Sequence, residues 1–228
     1  MSGARPPRLG LWAQEALQIP ALLASPLLPP VPIPSGAGQP VMVLPGYLTT
    51  DTSSVRLRRS LNAAGYHAHG WELGRNKGAQ ADVLERLRRR LGILVGAYGE
   101  PVNLIGWSLG GIFAREVAKL APGEVRLVMT LGSPFSGNPR ANNAWRIYEL
   151  LNDHPVDRPP LDVNLPVKPP VQTIALWSAR DGIVSASSAR GQAGESDLQV
   201  EVDCRHLNFA RSSRAIRVIG QVLADHLT

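Results

Sequence analysis

Residues 104–111, Leu-Ile-Gly-Trp-Ser-Leu-Gly-Gly, constrain the fold of this chain more than any other stretch. The apolar run 102–105 has the length of a buried parallel strand, and after Ser108 the residues Ile112, Phe113, Val117 and Leu120 recur at helical spacing. Ser108 lies between them, with Gly106 two places before it and Gly110 two places after. A serine on so sharp a strand-to-helix turn takes a strained backbone. Small residues on either side let strand and helix approach closely there. The Gly-x-Ser-x-Gly pattern recurs by chance, so it is the strand, turn and helix around it that point to an exposed nucleophile.

The same alternation runs through the chain. The apolar run 40–44 ends at Pro45-Gly46, and residues 66–71, 125–131, 171–177 and 198–202 supply further strands. Helices are predicted from a cap at Thr50, Asp51 or Thr52 to about residue 64, over 79–98, after Ser108 as far as Ala121-Pro122-Gly123, and over 142–151 and 215–227. Strands and helices in alternation, with no internal repeat, predict an α/β domain with a doubly wound, mostly parallel sheet of about six strands. At 228 residues, 44% hydrophobic and 18% charged, the chain can fill one such core, expected at residues 40–228. Residues 1–39 read as a leader, with a short helix at 9–19 and a proline-rich extended segment after it. Gln14, Glu15, Gln18 and Pro20 interrupt its apolar run, so it fits neither a membrane span nor a secretory signal; the cytoplasm is the expected location, with export the lesser alternative. Residues 153–170 hold six prolines and read as an insertion with room for a minimal lid.

The net charge of +6 is carried largely by Arg56, Arg58, Arg59 and by Arg86, Arg88, Arg89, Arg90, all on predicted helices. They read first as solvated faces and second as a weak peripheral contact with a membrane or other anionic surface. No nucleic-acid motif accompanies them, and no nucleic-acid partner is expected. A single cysteine, Cys204, excludes an internal disulfide and a cysteine-rich zinc site; no metal is expected.

A serine nucleophile needs a histidine within hydrogen-bond reach, itself oriented by a carboxylate. In open parallel sheets the reactive groups gather beyond the carboxyl ends of the strands. Asp181, followed by Gly182, lies just past the predicted strand 171–177, and His206 just past 198–202. Asp153, Asp157 and Asp162 fall in the insertion, and Asp203 belongs to a strand end. His67 and His69 share a strand, His154 is in the insertion and His226 closes the last helix. Only Asp181 and His206 join strand-end position to the chain order nucleophile, acid, base. The developing oxyanion would be held by the backbone N–H of Leu109 and by that of Tyr47 in the turn 44–47. Arg75 and Asn76 reach either the rim of the site or a capped surface loop. Leu48, Trp107, Phe135, Ile183, Val184 and Leu207 are the expected pocket residues and suit an apolar acyl group.

The stretches Leu44-Pro45-Gly46-Tyr47, Gly106-Trp107-Ser108-Leu109-Gly110-Gly111, Leu131-Gly132-Ser133-Pro134-Phe135 and Asp181-Gly182-Ile183-Val184, with His206, make the chain similar to the α/β-hydrolases. Within them it resembles the compact lipases and esterases, including bacterial triacylglycerol-lipase-like and GPI-inositol-deacylase-like members. The resemblance covers about residues 40–228. It implies Ser108 as nucleophile, His206 as general base, Asp181 as the orienting acid, a small-molecule ester as substrate and no cofactor. Many relatives carry histidine where this chain has Trp107 and Phe135, which are expected to make the pocket more apolar. The usual antiparallel lead strands are replaced by the proline-rich leader. The expected activity is that of a serine esterase; acyl transfer by the same triad and a catalytically silent binding protein are the alternatives.

Overall fold

The first strand, β1 (Pro40–Leu44), is preceded by two short helices, α1 (Leu9–Ala16) and α2 (Ile19–Ala24). Then follow α3 (Val55–Ala63), β2 (His67–Gly70), α4 (Val83–Tyr98), β3 (Val102–Trp107), α5 (Leu109–Leu120), β4 (Val125–Leu131), α6 (Trp145–Leu151), β5 (Gln172–Trp177), α7 (Ala186–Arg190), β6 (Leu198–Glu201) and α8 (Ser213–His226). The computed structural model describes residues 5–152, 154–158, 160 and 163–227, so Asp153 and Asp162 lie outside the described residues.

The six strands form one sheet in the order β2-β1-β3-β4-β5-β6, and every neighbouring pair is parallel. The chain leaves β1 for β2 at one edge and then crosses back to β3 on the other side of β1. The direction of winding reverses between β1 and β3, and crevices at such switch points are where ligands bind in open sheets. Residues 45–48 and Ser108 leave the sheet there.

Helices cover both faces, which is why the inner strands read as continuous apolar runs rather than alternating ones. Val41, Val43, Ile105, Leu127 and Met129 pack against Leu57 and Leu61 of α3 and Ile216, Ile219 and Leu223 of α8. On the opposite face Met42, Leu44, Leu104 and Val128 meet Leu87 and Leu91 of α4 and Phe113 and Val117 of α5.

Several predicted boundaries shift for local reasons. The helix expected from residue 79 starts at Val83: Gly78 takes φ +102°, and the Ala79 N–H donates to the Tyr148 hydroxyl at 3.1 Å. The last helix starts at Ser213 because the Ser212 hydroxyl caps it, accepting from the Ala215 N–H at 3.2 Å. Helix α7, five residues long, is too short for apolar periodicity to announce it. In the leader, Pro20 begins a second helix rather than breaking the first, since proline lacks only an N–H that a first turn leaves unpaired.

Residues 5–39 pack onto the rest of the chain. Val31 belongs to the core, and its N–H donates to the Ser60 hydroxyl at 2.8 Å. Arg56 and Arg59 donate to the carbonyls of Pro29 and Pro26, both at 3.0 Å. Arg56 also reaches the Arg211 carbonyl at 2.6 Å, and Arg58 the Asp51 carbonyl at 2.8 Å. The first arginine cluster thus ties backbone segments together, with Arg59 exposed and Arg56 and Arg58 half-buried. In the second, Arg86, Arg89 and Arg90 pair with Asp82, Glu85 and Glu72; Arg88 has no such partner among the described residues. Among the described residues no helix is long and apolar enough to cross a membrane.

Candidate active site

Ser108 follows the last residue of β3 and takes φ +54°, ψ −122°. A side chain in that region costs of order 1–3 kcal/mol, sustained only where the surroundings impose it. Here they do. A Cβ at Gly110 would stand 2.5 Å from the Leu44 carbonyl oxygen and 2.6 Å from that of Pro45. One at Gly106 would run into the backbone of Gly110 and Gly111, and one at Gly111 into the Ser133 hydroxyl. Strand β3, helix α5 and the end of β1 meet with no space for a methyl group.

Asp181 and His206 come together from the loops after β5 and β6. Their side chains are 1% and 3% exposed, and His206 Nδ1 lies 2.7 Å from Asp181 Oδ2. The other carboxylate oxygen, Oδ1, accepts from the N–H groups of Ile183 and Val184, both at 2.8 Å, so the acid is fixed from two sides. The imidazole lies beside the Trp107 ring at 5.8 Å and edge-on to Phe209 at 6.4 Å, and Trp107 Nε1 donates to the His206 carbonyl at 3.1 Å. Burial works to lower the pKa of His206, but the charge and hydrogen bond of Asp181, joined by the charge of Glu15, outweigh it and the net shift is upward. Among the described residues the Ser108 hydroxyl and the imidazole share no hydrogen bond; in unliganded serine sites that contact is often long and tightens when substrate binds.

The N–H groups of Tyr47 and Leu109 donate no hydrogen bond among the described residues, and both residues border the cavity that holds Ser108. Asn76 holds the Tyr47 turn from behind. Fully buried, it donates to the Pro45 carbonyl at 2.9 Å and accepts from the Gly78 N–H at 3.1 Å. Its backbone exchanges bonds with Leu48 and Thr49, and Arg75 donates to the Leu48 carbonyl at 2.8 Å. Both residues therefore brace the turn and do not form the rim of the site.

No family model and no curated protein sequence matches the chain, but solved structures do. A monoacylglycerol lipase of Paleococcus ferrophilus superposes with a TM-score of 0.60 at 15% identity, covering 83% of this chain and 97% of that one. A metagenome-derived lipolytic enzyme gives 0.63 at 12% identity, with 85% and 95% covered. An esterase of Pyrococcus furiosus gives 0.59 at 15%, with 85% of each covered. The chain has the α/β-hydrolase fold.

On this α/β-hydrolase sheet Ser108 borders an apolar cavity of about 100 Å³ that is partly open to solvent. Leu109, Ile112 and Phe113 of α5 line one side, with Ile183 and Val184 from the acid loop. Opposite are Trp145 and Tyr148 of α6 and Val156, Val163 and Leu165 of the segment after it. The proline-rich insertion is short, yet it walls the cavity. Arg115, 1% exposed beneath the Phe135 ring, holds it down by donating to the carbonyls of Leu165, Pro166 and Val167 at 3.2–3.4 Å; burial lowers its pKa to about 10.

Of the six expected pocket residues, Ile183 and Val184 border the cavity and four lie elsewhere. Trp107 is buried under Gly46 and the loop of His206, Phe135 is stacked on Arg115, and Leu207 packs on the core. Leu48, at φ +61°, faces a separate depression with Leu22 and Pro26. The apolar character that Trp107 and Phe135 were expected to lend comes instead from α5 and the insertion. Sequence reasoning also missed Glu116, a buried carboxylate in the cavity wall, paired with Lys119 at 2.6 Å. Burial pushes its pKa up against the lowering pull of Lys119. It missed Glu15, whose carboxylate reaches the loop of His206; the available signal was that Glu15 is the only acidic residue among the first 50.

Proposed function

We propose that the protein is a serine hydrolase of carboxylic esters, acting on substrates with an apolar acyl group through an acyl-enzyme. The observations that carry this reading are the strained Ser108 at the edge of an apolar cavity, which Ile183 and Val184 after Asp181 also line, and the buried Asp181–His206 pair. Ser108 Oγ attacks the ester carbonyl carbon as its proton passes to His206 Nε2, while Nδ1–H stays on Asp181. The N–H groups of Tyr47 and Leu109 hold the oxyanion. The tetrahedral adduct collapses, the C–O bond to the alcohol breaks, and the alcohol leaves with the proton from Nε2. Water, deprotonated by the same imidazole, then frees the acid and restores Ser108. The acyl chain lies along Ile112, Phe113 and Tyr148. The names of the structural neighbours, lipase and esterase, agree with this chemistry.

The test is labelling with a fluorophosphonate followed by peptide mapping, and a chain-length series of nitrophenyl esters. Label on Ser108 and faster turnover of the longer acyl chains are expected; folded protein that does not label there rejects the reading. A competing alcohol in the same assay separates hydrolysis from acyl transfer, since a transferase hands the acyl group to the alcohol in preference to water.

The pH dependence follows from the sign of the His206 shift. The base must be neutral, and its pKa lies above the ordinary histidine value of about 6.5. The acid limb of kcat/KM is expected to fall about tenfold per pH unit below an inflection higher than ~6.5. A kcat/KM profile that stays flat to pH 5 would contradict it.

A further inference from the structure

The leader helix α1 brings a third carboxylate into the active-site loops. Glu15 is 2% exposed. Its Oε1 accepts from the His206 N–H at 2.7 Å and from the Gly182 N–H at 2.9 Å, and its Oε2 accepts from the Leu207 N–H at 3.1 Å. The donors belong to the base residue itself, its successor, and the residue directly after Asp181. We propose that Glu15 is a positioning residue of the active site, bridging the acid loop to the base loop and thereby setting where the imidazole stands relative to Ser108. The proposal rests on the reading of Ser108, His206 and Asp181 as a triad.

Two further observations support it. A Cβ at Gly182 would run into the Leu11 backbone, so α1 lies flush against the acid loop at the one place where glycine makes room. Contacts on both sides hold the helix in that seat: Gln18 accepts from Arg211 at 2.9 Å, Gln14 pairs with Arg205, and Asn143 donates to the Pro7 carbonyl at 3.2 Å. A buried carboxylate is a poor way merely to fasten a helix, because its desolvation offsets most of what its bonds contribute. With three N–H donors the charge is satisfied, and the two loops are fixed to one point.

The charge also acts on the base. Asp181 and Glu15 are the charges that act on the imidazole, Glu15 adding to the upward shift produced by Asp181, and Glu15 itself interacts with the Cys204 thiol and the Arg211 guanidinium. Glu15→Gln keeps the shape but supplies one acceptor oxygen and one NH2. Either orientation sets a donor against a backbone N–H, and the charge is gone.

The experiment measures the rate of fluorophosphonate labelling of Ser108 against pH in the full chain, with circular dichroism confirming the fold. Glu15→Gln is expected to label about 10–100-fold more slowly at neutral pH, with its acid limb moved to lower pH. Gly10→Ala, on the exposed side of the same helix where an added carbon meets nothing within 4 Å, is expected to label at the wild-type rate. Folded Glu15→Gln that labels at the wild-type rate with an unmoved acid limb overturns the proposal. Wild-type protein that does not label at Ser108 rejects the hydrolase reading instead. Amide hydrogen exchange on wild-type protein adds a readout that does not depend on the variant folding: the Gly182, His206 and Leu207 amides are expected to be protected together, and fast exchange at all three overturns the bridge.

Discussion

Replacing Ser108 by alanine is expected to lower ester turnover by roughly 10⁴–10⁶-fold, the loss seen when a serine nucleophile is removed from an otherwise intact site. The fold should be indifferent to the change, because alanine and serine meet the same strain at φ +54°. Ser108→Gly makes the sharper test. Glycine adopts this backbone without penalty, so the inactive glycine variant is expected to be more stable than wild type by about 1 kcal/mol. In a chain of this size that is a rise in Tm of about 2–4 °C. A gain in stability with loss of turnover would locate the strain at the nucleophile. A glycine variant that melts below wild type would indicate that the turn is held by contacts of the hydroxyl instead.

Gly110→Ala is expected to be the most damaging single methyl group that can be added near the site. Its Cβ would press on the carbonyl oxygens of Leu44 and Pro45, which are backbone atoms at the end of a central strand and cannot swing aside. Helix α5 must move off β1, at a cost of about 3 kcal/mol. The same movement carries the Leu109 N–H away from the Tyr47 turn, so kcat is expected to fall about 10²–10³-fold even in protein that remains folded. Urea unfolding measures the first effect and steady-state kinetics the second. Alanine at Gly96, where nothing lies within 4 Å of the added carbon, is the control and should be neutral or slightly stabilising.

Much of the sheet is legible in the sequence because its signals are local. The runs at 40–44 and 125–131 coincide with β1 and β4 to the residue, and the serine turn is written in residues 104–111. Asp181 and His206 could be selected because strand-end position and chain order are linear properties. Helix α7 and the late start of α4 were not legible: the first is little more than one turn long, so its pattern barely repeats, and the second depends on the Tyr148 hydroxyl of a distant segment.

The pocket was the least legible part. Apolar residues next to Ser108, Asp181 and His206 in sequence were expected to line it, yet Trp107 and Leu207 pack on the core and Phe135 on Arg115, because nearness in sequence does not decide which way a side chain faces. The partners of Arg56 were illegible for a related reason. A guanidinium three methylenes from the backbone can reach a carbonyl of another segment, and nothing in its own neighbourhood reveals which one it will find.

The order of strands and helices and the bend that strains Ser108 were determined by the sequence alone, since periodicity and glycine placement act over a few residues. The walls of the cavity, the partners of Arg56 and Arg115 and the seat of Glu15 against His206 were decided only by the tertiary structure. Those contacts join segments far apart along the chain, and they exist only once the sheet has fixed the distance between them.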